Sequence, residues 1–109
     1  MTSNSDLLRG ALEPVVLELI SAGASYGYEI AKAVQEASGG ELLAQEGTLY
    51  PALYRTEQRG RIKAEWGVSE NGRRARFYTL TRTGRKQLQE EERHWEHLSL
   101  AVAKILRAS

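Results

Sequence analysis

The chain of 109 residues has no cysteine, one methionine, one phenylalanine and two prolines. Without cysteine there is no disulfide scaffold, no thiolate nucleophile and no cysteine-based metal site. Histidine is scarce: only His94 and His97 occur, three positions apart. That spacing can hold a metal on a helix, but no third ligand accompanies it beyond a generic glutamate, so no metal is expected. No apolar run approaches the length of about 20 residues needed to span a bilayer, and residues 1–20 lack a basic start followed by an apolar core. No GKS or GKT phosphate loop is present, and Ser, Thr and Asp form no nucleophile constellation. The expectation is one soluble, cytoplasmic domain that is not an enzyme, needs no cofactor and has no membrane partner. A chain this short buries a modest fraction of its surface, so a partner subunit would help to stabilise it.

What is present is a charge asymmetry hidden by a net charge of +1. Residues 1–54 carry a balance of −5, residues 55–86 one of +7, and residues 87–109 one of −1. The basic block holds ten Arg and Lys against Glu57, Glu65 and Glu70. A local basic patch on a near-neutral protein suits a polyanion-binding surface. A solvated face that keeps the protein soluble is the alternative.

Periodicity divides the chain into helices and one hairpin. From Asp6 to about Ala22, Leu8, Leu12, Val15, Val16, Leu19 and Ile20 follow a helical face. Pro14 implies either a kink at Gly10–Pro14 or a helix that begins near Glu13 with Pro14 at its first position. Ser25 is the candidate cap of a second helix, with Tyr26, Ile30, Ala33, Val34 and Ala37 on its apolar side and Gly39–Gly40 as its stop. Leu42 and Leu43 anchor a short link. Thr48 is the candidate cap of a third helix, which places Pro51 in its first turn, where a missing N–H costs nothing. Leu49 and Leu53 face inward there; Tyr50, Tyr54, Arg55 and Gln58 do not, and Gly60 ends the helix. Ile62, Ala64 and Trp66 then alternate with polar residues as in a half-buried strand. Asn71–Gly72 marks a turn inside a loop from Gly67 to Arg74, and Tyr78 and Leu80 share one side of a second strand. Thr81 caps a last helix to about Arg107.

The third helix sets aromatic and basic side chains on one face and leads directly into a basic hairpin. A major groove admits such a helix, and Thr48, Tyr50 and Arg55 could reach bases and phosphates. The tyrosines could equally be half-buried packing residues with hydroxyls reaching water. Arg73, Arg74 and Arg76 cluster at the hairpin tip, where they could enter a minor groove or clamp phosphates. A charged turn that discourages strand association is the alternative. Tyr28 and Lys32, four apart, suit backbone contacts or a plain solvated face. In the last helix Leu88, Trp95 and Val102 recur every seven residues, with Leu98 and Ile105 offset by three and Glu91 breaking one position. This narrow seam suits pairing with a second copy, or packing back on the domain.

LLRGALEPVVLELI, YGYEIAKAV, EGTLYPALYRTEQRGRIKAEW and GRRARFYTLTRTGRKQL, in that order over residues 7 to 88, resemble the PadR family of bacterial transcriptional regulators. The resemblance implies an α+β, mostly helical fold. Residues 6–81 would form a winged helix-turn-helix, with three helices and a two-stranded β-hairpin wing, and residues 82–107 a long C-terminal dimerisation helix. It implies a homodimeric repressor of double-stranded DNA, with Tyr28, Lys32, Thr48, Tyr50, Pro51, Arg55, Arg73, Arg74 and Arg76 in the DNA-facing region. Dimerisation would fall to Leu88, Trp95, Leu98, Val102 and Ile105. Some small members place an aromatic residue near the dimer axis for ligand stacking. Trp95 is therefore the candidate contact of an aromatic or lipophilic small-molecule effector, although an interface tryptophan can also be a packing anchor alone. Thr56 departs from the family, which usually has leucine there. A winged-helix protein–protein interaction module without specific DNA binding is the alternative function.

Overall fold

Ala11 to Ala108 are the residues described in the computed structural model. The expected helix start at Asp6 and the apolar position Leu8 lie outside them. Helix α1 (Leu12–Ser21) carries Pro14 as its third residue. An amide there has no intrahelical partner, so the proline removes no hydrogen bond and the helix needs no kink. Its buried side is Leu12, Val16, Leu17 and Ile20. Leu17, fully buried, was absent from the expected face.

Helix α2 (Gly27–Ala37) starts two residues after Ser25, which is not its cap. Tyr26 occupies the capping position in extended conformation and makes no side-chain cap bond. The cause is tertiary. Tyr26 bridges to Phe77, and the Tyr78 N–H donates to the Ser25 carbonyl at 2.6 Å, so residues 25 and 26 are held straight against the hairpin. Glu29, in the first turn, reaches back instead. Its Oε1 accepts from both the Ser25 amide and the Ser25 hydroxyl, at 3.0 Å each. Gly39 and Gly40, at φ 66° and 85°, end the helix as expected. In the link that follows, Leu42 packs on the core, whereas Leu43 is exposed.

Helix α3 (Glu46–Gln58) begins earlier than expected, with Gln45 at the cap and Thr48 already third in the helix. Pro51 therefore sits in the interior rather than the first turn. Its ring removes the bond that the Gly47 carbonyl would accept. Gly47 is exposed, which leaves that carbonyl open to water. Leu49, Ala52, Leu53 and Thr56 face the core. The Thr56 hydroxyl, 1% exposed, donates to the Ala52 carbonyl at 2.7 Å, so the departure from leucine is satisfied within its own helix.

Strands β1 (Ile62–Val68) and β2 (Arg74–Leu80) pair antiparallel, from Ile62 opposite Leu80 to Val68 opposite Arg74. They run further towards the tip than expected and leave only residues 69–73 as the turn, with Gly72 at φ 74°. Side chains alternate across a strand, so Ile62, Ala64, Trp66 and Val68 share one face with Leu80, Tyr78, Arg76 and Arg74. Burial falls steadily along this face. Ile62, Leu80 and Tyr78 are in the core, but Trp66 is 63% exposed and Val68 67%. Trp66 is thus on the expected face and not in the core, because the hairpin projects past the end of the domain.

Helix α4 (Arg82–Arg107) has the cap expected for it. The Thr81 Oγ1 accepts from the Gly84 amide at 3.0 Å and donates to the Gly60 carbonyl at 2.6 Å. Gly84 is buried against the Arg61 carbonyl, leaving no room for a Cβ. Leu88, expected in the dimer seam, is buried with Leu12, Val16, Leu53, Tyr78 and other core side chains. The rest of α4 runs out from the core, and with it the molecule measures 54 × 32 × 20 Å. No helix among the described residues is long and apolar enough to cross a membrane.

Candidate nucleic-acid interface

The projecting hairpin leaves a cleft of about 530 Å³ between its shared face and the helices. Tyr28 of α2 and Tyr50 of α3 form one wall; Trp66, Arg73, Arg74 and Arg76 form the other. The two helices approach closely because residue 27 is glycine: a Cβ there would lie 2.5 Å from the Tyr50 hydroxyl. Five of the DNA-facing candidates are therefore brought to one place by three elements. Lys32, Thr48, Pro51 and Arg55 lie outside this cleft. Lys32 is exposed on α2 and sits 3.9 Å from Glu36, one turn on. Thr48 is half-buried and Pro51 exposed near the start of α3. Arg55 lines a separate polar cleft with Arg59, His94 and Trp95.

The arginines of the hairpin are not equivalent. Arg73, in the turn, is exposed. The Arg74 guanidinium lies 4.8 Å from the centre of the Trp66 ring. Arg76 is partly exposed but engaged: its Nη2 donates to Glu57 Oε2 at 2.7 Å, and its guanidinium lies 5.9 Å from Trp66 and 6.0 Å from Tyr78. Its Nε is buried with no hydrogen-bond partner among the described residues. Burial pushes the Tyr78 phenol above its ordinary range, with Arg76 opposing the shift. Neither Glu57 nor Trp66 was a candidate from sequence. Trp66 is four residues past Ile62, roughly 13 Å along an extended strand, and that distance is the signal that could have placed it beyond the core.

Just past the C-terminal end of α3, Arg59 and Arg61 both donate to the Glu13 carboxylate of α1, Arg59 at 2.6 Å. Two of the ten basic residues of the middle segment are thereby committed to holding α1, α3 and β1 together.

Trp95, Leu98, Val102 and Ile105 are exposed along the outer part of α4. Trp95 also lines a second cleft, about 480 Å³, between α1, α2 and α4. Its walls are largely apolar, with Val15, Leu19, Val34 and Leu42 among them, and Glu18, Glu91 and Glu92 bring carboxylates to it. Hydrogen bonding with Glu92, then burial, then the Glu92 charge hold the Glu18 carboxyl above the ordinary glutamate range. His94 stacks edge-on to Trp95 at 6.1 Å. Among the described residues no group of three His, Asp or Glu is placed to hold a metal.

A family model described as "Transcriptional regulator PadR-like family" matches residues 16–90. An uncharacterised protein of Lysinibacillus sphaericus is 32% identical over 91 residues, 84% of each chain. A transcriptional regulator from Clostridium thermocellum superposes with a TM-score of 0.80 at 34% identity, covering 92% of this chain and 97% of that one. A PadR-like transcriptional regulator from Bacillus cereus gives 0.81 at 30% identity, with 96% and 100% covered.

Proposed function

This chain belongs to the PadR-like family and is a DNA-binding transcriptional regulator, and we propose that it acts as a cytoplasmic homodimeric repressor. The single observation that carries the DNA-facing assignment is the cleft in which Tyr28 and Tyr50 stand across from Arg73, Arg74 and Arg76. In this reading α3 enters the major groove and supplies the base contacts, with Tyr50, Pro51 and Arg55 on its exposed side. The hairpin follows the neighbouring backbone, and Lys32 and Thr48 add positioning contacts.

Dimerisation is assigned to the outer part of α4. Trp95, Leu98, Val102 and Ile105 form an apolar seam that the protomer leaves open to water, and a second copy is the simplest partner for a self-complementary helix. Leu88 belongs to the core and is left out of the interface. Two α3 helices related by a two-fold axis read half-sites of a pseudo-palindrome about one helical turn, roughly 34 Å, apart. Repression follows by occupancy of promoter DNA. A lipophilic or aromatic effector contacting Trp95 releases the dimer by changing the separation of its two hairpins.

The test is fluorescence anisotropy with DNA from the protein's own promoter at two salt concentrations, wild type beside Arg73→Ala/Arg74→Ala. Tight binding that falls steeply with salt and weakens in the double variant is expected. Binding that is equally strong in the double variant would remove the hairpin from the interface. Failure to bind that promoter would remove self-regulation.

A further inference from the structure

We propose that Trp66 is a positioning residue of the DNA contact: its indole presets the Arg74 guanidinium as the phosphate clamp of the hairpin, while Arg76 braces the hairpin against α3. This deepens the assignment of the cleft to DNA and rests on it.

Three observations converge. Trp66 is a large aromatic side chain, 63% exposed on a face whose other end is the core. Its ring has a partner, the Arg74 guanidinium at 4.8 Å, near enough for a cation–π contact. Arg76, directly across the ladder from Trp66, is already taken by Glu57. The ion pair neutralises Arg76 locally, so of the two arginines beside the indole only Arg74 keeps its full charge for a ligand.

The consequence concerns entropy. A free arginine at a hairpin tip loses much side-chain freedom when it binds a phosphate. An arginine already resting on an indole has lost part of it before DNA arrives. Stacking leaves the N–H edge of the guanidinium, which is the edge a phosphate accepts from, free to donate. Trp66 therefore acts through Arg74 and needs no contact with a base.

Phosphate contacts are independent of sequence, so the probe is a fluorescein-labelled mixed-sequence duplex spanning two major grooves, titrated at several salt concentrations. Wild type, Trp66→Ala, Trp66→Phe, Arg74→Ala and the Trp66→Ala/Arg74→Ala pair are compared. Loss of a cation–π contact predicts weakening by about two- to fivefold for Trp66→Ala. Arg74→Ala loses more affinity and lowers the slope of log K against log salt by about 0.9, one phosphate. The double variant matches Arg74→Ala alone, because without Arg74 the indole has nothing to position. Trp66→Phe, which keeps an aromatic face, recovers part of the loss. Additive effects in the double variant, or no recovery with phenylalanine, would overturn the proposal while leaving the DNA assignment standing. Wild type with no salt-dependent binding would overturn both.

Discussion

Glu57 Oε2 and Arg76 Nη2 lie 2.7 Å apart and tie the C-terminal half of α3 to the second strand of the hairpin. The two residues are 19 positions apart in the chain, and their bond fixes how far the hairpin leans from the helix. Both side chains are part-exposed, 24% for Glu57 and 39% for Arg76. A charged hydrogen bond is worth more than a neutral one, but water screens this pair. Glu57→Ala is expected to cost about 1 kcal/mol after that discount. Urea unfolding measures it as a lower midpoint at unchanged m, and coincident midpoints would show that the pair adds nothing net.

Gly84 is the second point where a small change should be costly. Alanine is favoured over glycine inside a helix by about 1 kcal/mol. Here a Cβ would meet the Arg61 carbonyl oxygen, a backbone atom that cannot rotate away. Gly84→Ala is therefore expected to destabilise by about 1–3 kcal/mol, the usual cost of overpacking, despite its better propensity. Thermal unfolding decides it; a raised Tm would mean that the start of α4 can shift off β1.

Stability should depend on pH through the carboxyl pair of α1 and α4. Glu18 has its pKa raised by Glu92 hydrogen bonding, burial and the Glu92 charge, in that order. A carboxyl raised in the folded state binds more protons there than in the unfolded chain. Its favourable contribution is complete below the unfolded value of about 4.3 and is lost as pH rises through the folded value. Glu18→Gln should remove this slope. The variant should equal or exceed wild type in stability at pH 7, and its advantage should shrink as pH falls towards 4. Parallel stability curves for the two proteins across that window would show that Glu18 and Glu92 do not share a proton.

The seam on α4 predicts an association equilibrium. Ile105 is 72% exposed and Val102 42% in the protomer. Val102→Glu or Ile105→Asp buries a charge only if a partner covers the position, so these changes should convert dimer to monomer with little effect on the protomer fold. Sedimentation velocity with circular dichroism separates the two effects. A dimer that survives both substitutions would place the interface elsewhere.

Much of the local structure was legible because it is set by neighbouring residues. Gly39 and Gly40 end α2 with positive φ, Asn71–Gly72 makes the turn, and Thr81 caps α4 with its own hydroxyl. Repeats of four and of two placed Leu49, Leu53, Ile62 and Leu80 on buried faces. The +7 block marked the hairpin. Periodicity gives a side chain its face but not its depth. Trp66 shares the face of Ile62 and yet stands in solvent, while Leu88 shares the heptad of Trp95 and yet belongs to the core. Only packing fixes where a hairpin leaves the domain or a helix enters it. Only tertiary structure straightened Ser25 and Tyr26 against β2, so that a serine suited to capping lost that role to its neighbour. The division of labour among the arginines was decided the same way. Arg59 and Arg61 meet a glutamate more than 40 positions away, Arg76 meets Glu57, and Arg74 meets an indole. The sequence by itself determined how many positive charges the hairpin region carries. The fold decided which are neutralised at home and which are held out for a partner, because that depends on distances between segments remote in the chain.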